Sequence, residues 1–315
     1  MWDSRAAACA AALQRWYRPR RGRWSSAGWW NAANALTALV DYMSVTGDSA
    51  HAEVIETTFR RARRRRGFVN DFYDDCGWWG LAWTAAHELT GSREYLSAAE
   101  EIFAFMTGGW DDGMWWTTRR DYKNAVTNEV FGLLAARLHI RTAQPSYLSW
   151  AEREWEWFTA SGMINSSGLI NDGLNSSGVN NGGITWTYNQ GVILGFAAAM
   201  HTITGSPGFL STGSAVARAT MSSLTSPEGI LTEPGTPSGD TTQFKGIFLR
   251  NLRAFADAAD LPGYRDFVLA NAASAWDRAR DDADHIGYRW QGPFDQADAA
   301  RQTSALDLLT AAASL

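Results

Sequence analysis

Helical spacing of apolar residues returns along the entire chain, while strand-like alternation is nearly missing. Trp79, Ala82, Trp83, Ala86 and Leu89 mark one apolar face, and Phe244, Ile247, Phe248, Leu252 and Phe255 mark another. Short exceptions are confined to 163–170 and 230–232. Ala-rich helices are predicted over 3–17, 49–66, 92–106, 146–160, 207–224 and 262–280. They alternate with a second set over 29–45, 76–90, 124–142, 187–204, 243–259 and 298–313. Hairpins that recur with a loose period of about fifty residues cannot bury their own faces singly, so they must stack. The fold class expected is all-α, an (α/α)6 barrel: a toroid of six helical hairpins in which residues 1–315 form a single domain. An open solenoid is the alternative arrangement of the same units.

The second set suits the inner layer, because its members carry small residues that allow close approach. Ala32, Ala33 and Ala35 lie in one, and Gly191, Gly195, Ala197, Ala198 and Ala199 in another. Each inner helix is preceded by a loop rich in Gly, Asp, Asn and aromatic residues. These are Trp24–Trp30, Asn70–Trp79, Trp110–Tyr122, Asn171–Tyr188, Glu233–Phe244 and Tyr288–Asp295. Closing the barrel would gather all six at one rim, as expected of a binding face.

Bulk properties narrow the function by exclusion. A net charge of −5 gives no general attraction to nucleic acid or to anionic lipid. The basic run from Arg60 to Arg66 stands alone and closes a predicted outer helix, where cations complement the negative end of the helix dipole. No uninterrupted apolar segment approaches the ~18 residues of a membrane span; the longest, Gly191 to Met200, stops at His201. Met1-Trp-Asp-Ser-Arg5 has no basic region followed by an apolar one, so no signal peptide is visible, which fits either a cytoplasmic protein or a secreted one whose signal has been removed. Cys9 and Cys76 make no disulfide framework, and whether they are bridged stays open. The five histidines show no metal-ligand spacing, so neither a metal nor a cofactor is expected. The 17 tryptophans, more than the 14 phenylalanines or 9 tyrosines, point to partly exposed aromatic walls, because a buried indole N–H wants a partner.

Chemistry concentrates in the segment from Phe68 to Trp83, where Asp74 and Asp75 sit among aromatic residues just ahead of a predicted helix. Two close carboxyls can divide acid, base and nucleophile roles, and aromatic faces suit a sugar ring with apolar faces and polar edges. A turn ahead of the helix lets both side chains reach one cleft at the shorter separation, about 5–5.5 Å, that goes with retention of configuration. The alternative is that one of them merely caps the helix. Asp111-Asp112-Gly113 reads as a turn or a substrate loop, and Asp281, Asp282 and Asp284 as a solvated helix end. Cys76 lacks a histidine base and reads as a small buried hydrophobe.

Several motifs in order along the chain resemble those of glycoside hydrolase family 76, the endo-acting α-1,6-mannanases and related fungal cell-wall proteins. They are Asn70-Asp-Phe-Tyr-Asp-Asp-Cys-Gly-Trp-Trp79, Lys123-Asn-Ala-Val-Thr-Asn128, Thr187-Tyr-Asn-Gln-Gly191, Phe244-Lys-Gly-Ile-Phe248 and Ala300-Arg-Gln-Thr-Ser-Ala305. The resemblance implies an (α/α)6 barrel and retaining hydrolysis of α-1,6-mannan, with Asp74 as nucleophile and Asp75 as general acid/base. Asp71, Trp78, Trp79, Asn124, Asn128, Tyr188, Asn189, Gln190 and Lys245 are then substrate-binding candidates. The expected partner is α-mannan or a manno-oligosaccharide, the expected state a monomer. A mannan transglycosylase would use the same carboxyls, and a non-catalytic glycan-binding barrel would need neither. A terpene cyclase would need metal-binding aspartate clusters that this chain does not display.

Overall fold

The computed structural model describes residues 1–64 and 67–315. Among them are twelve helices: α1 Trp2–Gln14, α2 Trp29–Thr46, α3 Glu53–Arg63, α4 Tyr73–Thr90, α5 Arg93–Thr107, α6 Ala125–Thr142, α7 Pro145–Ala160, α8 Thr187–Thr204, α9 Pro207–Ser223, α10 Phe244–Ala256, α11 Tyr264–Arg278 and α12 Ala299–Ala313. A two-stranded ribbon, β1 Tyr17–Arg18 and β2 Arg23–Trp24, links α1 to α2. Where weak strand patterns were expected, only isolated bridges occur, Ile164 with Ile170 and Thr225 with Leu231.

The even-numbered helices form a closed inner ring: α2 packs on α4, α4 on α6, α6 on α8, α8 on α10, α10 on α12, and α12 returns to α2. That closure rules out the open solenoid. The inner helices are buried on nearly every side, with fourteen buried residues in α8 alone, whereas α7 buries only Ala151, Glu154 and Phe158. Glycines let the ring tighten. A Cβ on Gly191 would lie 2.5 Å from Phe248 Cα, and one on Gly246 would lie 2.4 Å from Ser304 Cα.

Tight hairpins join three inner helices to the outer helix that follows, α4 to α5, α6 to α7 and α8 to α9. Listing the outer segment before the inner one splits these three packing units, whereas α11 does pack on the inner helix that follows it. Very short turns force this pairing. Gly91 and Gly205 enter the left-handed region at φ 72° and 69°, which ends the helices and reverses the chain. A histidine one turn back clips each reversal: Nδ1 of His87, His139 and His201 donates to the carbonyls of Ser92, Gln144 and Ser206, each at 2.9 Å. A carbonyl only accepts, so these bonds fix the ring tautomer. At the remaining seam α1 packs on α12, as does α11.

Other expectations resolve simply. Part of the basic run is paired with acids, Arg63 with Glu101 at 2.8 Å and Arg60 with Glu56 at 3.7 Å; Arg65 and Arg66 lie outside the described residues. Cys9 and Cys76 are both buried and free, not bridged. Asp112 and Gly113 take φ of 50° and 99°, the turn that Asp-Gly predicts. Among the described residues no helix is long and apolar enough to cross a membrane.

Candidate active site

Five of the six inner helices begin at the rim of one cavity of about 500 Å³. Trp30 reaches it from the first turn of α2, Asp74, Asp75 and Trp78 from α4, Asn124 from the cap of α6, Tyr188 from α8 and Phe244 from α10. Helix N-termini carry partial positive charge, so their convergence favours acidic side chains there. The sixth inner helix, α12, supplies no residue to this lining; at its start Asp298 accepts from the Arg301 backbone N–H at 2.8 Å and pairs with the Arg301 guanidinium.

Asp74 and Asp75 are not ahead of the helix, as the sequence suggests, but in the first turn of α4. The neighbouring loop sets this early start. Tyr73 N–H donates to Trp116 C=O at 2.9 Å, and Asn70 Oδ1 accepts from Phe72 N–H at 2.9 Å. Cys76 N–H then closes onto Phe72 C=O at 3.2 Å. Regular helix geometry turns consecutive side chains about 100° apart, yet both carboxyls line the cavity.

Their surroundings differ. Asp74 Oδ1 is sealed from solvent and has no hydrogen-bond partner among the described residues. Burial pushes the Asp74 carboxyl well above the usual range, and the charge of Asp75 adds to this; backbone N–H groups and the Trp116 side chain act in the opposite sense. Asp75 is half-buried and accepts from Asn70 Nδ2 at 2.7 Å. Burial raises it to about 6, against the Asn70 bond and with help from the charge of Asp240. Asn70 is thus a hub, since its backbone N–H also donates to Cys76 Sγ at 3.2 Å.

The walls are aromatic: Trp30, Phe72, Trp78, Trp116, Tyr122, Tyr188 and Phe244. Tyr188 and Phe244 stack with centroids 3.8 Å apart and planes 2° from parallel. Two further carboxylates complete the lining. Asp172 Oδ2 accepts from Tyr122 OH at 2.6 Å, and Asp240 Oδ1 accepts from Trp30 Nε1 at 3.0 Å. Neither acid stands out in the sequence; both lie in Asp-, Asn- and Gly-rich loops where such residues ordinarily make turns. The loops themselves were legible, because five of the six expected to converge do so.

The remaining sequence candidates divide. Trp78, Asn124 and Tyr188 line the cavity, with Asn124 also capping α6 through a 3.3 Å bond from Thr127 N–H. Asp71, Trp79, Asn128, Asn189, Gln190 and Lys245 do not. Asp71 is exposed, and its carbonyl accepts from Thr118 N–H at 2.9 Å. Trp79 stacks on Trp83 inside the core. Asn128 clamps Met114 through its N–H and C=O, and Gln190 clamps Ile170 the same way. Lys245 donates to Tyr288 C=O at 2.7 Å and lies 4.0 Å above the Trp290 ring. Asn189 is wholly buried with both polar atoms unpartnered among the described residues. These side chains pin rim loops to the inner ring or fill it, which explains why they sit in motifs without facing the cavity.

Known proteins share this architecture. Mannan endo-1,6-alpha-mannosidase DCW1 of Saccharomyces cerevisiae is 28% identical over 207 residues, 56% of this chain and 46% of its own length. The chain thus spans about half the length of the curated relatives it matches first. The solved GH76A alpha-1,6-mannanase of Salegentibacter sp. HEL1_6 is 25% identical, superposes with a TM-score of 0.91 and is covered over 99% of both chains. An inactive variant of that enzyme, with two consecutive aspartates changed to asparagine, was solved with alpha-1,6-mannotriose; it superposes at a TM-score of 0.90 with 24% identity over 99% of both chains. The model of glycosyl hydrolase family 76 matches residues 1–314, and the chain belongs to that family.

Proposed function

We propose that this protein is a retaining, endo-acting glycoside hydrolase that cleaves α-1,6-mannosidic bonds in mannan backbones. The observation that carries the reading is the pair Asp74 and Asp75, side by side in a cavity walled by aromatic rings at the mouth of the inner ring. The mannanase named above, whose paired-aspartate variant is inactive, supports the choice of substrate and of chemistry.

In the proposed cycle Asp75, protonated, gives its proton to the departing glycosidic oxygen while Asp74 attacks C1. The C1–O bond breaks, and an ester forms between the mannosyl unit and Asp74. Asp75, now ionised, takes a proton from water as that water attacks C1. The ester breaks, Asp74 leaves as a carboxylate, and the sugar keeps its α configuration after two inversions.

The working state is a pair holding one proton. Burial raises both carboxyls, Asp74 the more strongly, and the two titrate as a coupled pair. The roles place the shared proton on Asp75 when sugar is bound and leave Asp74 ionised beside C1, where positive charge develops.

Incubation with debranched α-1,6-mannan, followed by product mass and anomeric NMR, tests the reading. Short manno-oligosaccharides appearing first as the α-anomer are expected. Longer products on addition of an acceptor oligosaccharide, without hydrolysis, would instead make it a transglycosylase. Binding without turnover would make it a glycan-binding barrel.

A further inference from the structure

The Asp75 carboxyl leans on one neighbour. Among the described residues the Asn70 amide is the one donor to it, Nδ2 to Oδ2 at 2.7 Å. The titratable groups around it are Asp74 and Cys76 on α4, Tyr122 and Asp172 from the loops ahead of α6 and α8, Tyr188 from α8, and Asp240 from the loop ahead of α10. Among the described residues no lysine, arginine or histidine lines this cavity. With acids on several sides and no cation in the lining, a neutral amide is what stabilises charge on Asp75. Its bond acts against the rise that burial causes.

Asn70 is itself held from several directions. Its Oδ1 accepts from Phe72 N–H at 2.9 Å, which closes a small turn just ahead of α4. An N–H facing Oδ1 and a carboxylate facing Nδ2 fix which way round the amide sits, because a flipped amide would set donor against donor and acceptor against acceptor. The Asn70 backbone N–H donates to Cys76 Sγ at 3.2 Å, and the thiol lies 3.6 Å from the Asn70 carbonyl oxygen, where it can donate in return. Cys76 is wholly buried and directly follows Asp75 in α4. The loop is therefore docked on the residue next to the acid it serves.

We propose that Asn70 is a positioning residue for the proton-transfer step, locked by Phe72 and Cys76 so that its amide fixes the Asp75 carboxyl and stabilises the charge left when the proton passes to the departing sugar oxygen. The inference rests on the mannan-cleaving reading with Asp75 as acid/base. Neither Asn70 nor Cys76 touches the reacting atoms in this scheme.

The test compares Asn70→Ala, Cys76→Ala, Cys76→Ser and the double variant Asn70→Ala, Cys76→Ala with the parent. Each is assayed on α-1,6-mannan and on an aryl α-mannoside whose leaving group needs no proton. Asn70→Ala should lower kcat/KM on mannan about tenfold and stay within about twofold of the parent on the aryl mannoside. Its acid limb should move to higher pH, because losing the bond disfavours ionised Asp75. Cys76→Ala should act in the same direction with a smaller loss. The double variant should be no worse than Asn70→Ala alone, since the two residues act in one chain. Cys76→Ser restores an acceptor and should return the limb to the parent's position. If Cys76→Ala does not fold, Asn70→Ala, a change at a half-buried loop position, still decides the matter. Equal losses on both substrates, an unmoved acid limb in Asn70→Ala, or losses that multiply in the double variant overturn the inference. The unmodified protein separates the two readings. If it hydrolyses mannan and Asn70→Ala gives one of those results, only Asn70 loses its role; if it cleaves neither substrate, both readings fall.

Discussion

A carboxyl in the first turn of a helix is pulled in two directions. The helix dipole and free N–H groups favour its ionised form, and burial among aromatic rings favours the neutral one. At Asp74 and Asp75 burial wins, as the directions of both shifts record. Singly ionised, the pair can act; doubly protonated, it has no nucleophile. We therefore expect kcat/KM to rise with pH through about 6 as the pair loses its first proton, and to fall only above the usual carboxylate range as it loses the second. Asp240→Asn keeps an acceptor for Trp30 but removes a negative charge that raises Asp75, so the acid limb should move to lower pH. An unmoved limb would separate Asp240 from the chemistry. Asp74→Asn should lower kcat on mannan by at least ~10⁴-fold. Asp75→Ala should cost roughly 10²–10⁴-fold on mannan and far less on an aryl α-mannoside whose leaving group needs no proton. Equal losses of Asp75→Ala on both substrates would reverse or cancel the assigned roles. At this scale the place of Asp74 and Asp75 in the cavity was legible from the residue type and the aromatic neighbours. Gln190 and Lys245 were not, because an amide or ammonium that clamps a loop reads the same in sequence as one that holds a hydroxyl.

Among the elements, the hairpin turns and the inner contacts do different work. The histidine clips at His87, His139 and His201 replace water at carbonyls just past each helix end, and each contributes about 1 kcal/mol at most. His201→Ala should lower stability by about that amount, read by urea denaturation, and leave turnover unchanged. Gly246→Ala is a harsher change, because its Cβ would meet the Ser304 backbone, and backbone cannot step aside as a side chain can. A loss of about 1–3 kcal/mol is expected. If the variant matches the parent, α10 and α12 are not packed as closely as described. Helix positions were readable from apolar spacing, but the start of α4 was not. It depends on Trp116, a residue more than forty positions away whose carbonyl receives the first N–H of the helix, and local propensity carries no record of it.

For the whole molecule, the loose repeat was enough to imply a ring, since helices with apolar faces on both sides must be enclosed by neighbours. Which outer helix leans on which inner one was not readable, because turn length decides that and turn length was the least certain quantity. We propose that residues 1–315 form one cooperative unit. Urea unfolding followed by tryptophan fluorescence and by far-ultraviolet circular dichroism should give coincident transitions. Two separated transitions would divide the chain into smaller units. The seam at α1 and α12 carries a further consequence. Gln302 Nε2 donates to Cys9 C=O at 3.2 Å and to Cys9 Sγ at 3.0 Å, across 293 positions of sequence. Bringing such distant segments together costs loop-closure entropy, and these contacts reward the chain only after nearly all of it has been ordered. On a ribosome, α1 would wait with its apolar face uncovered until α12 emerged, so the interval before closure is when this protein most needs a chaperone.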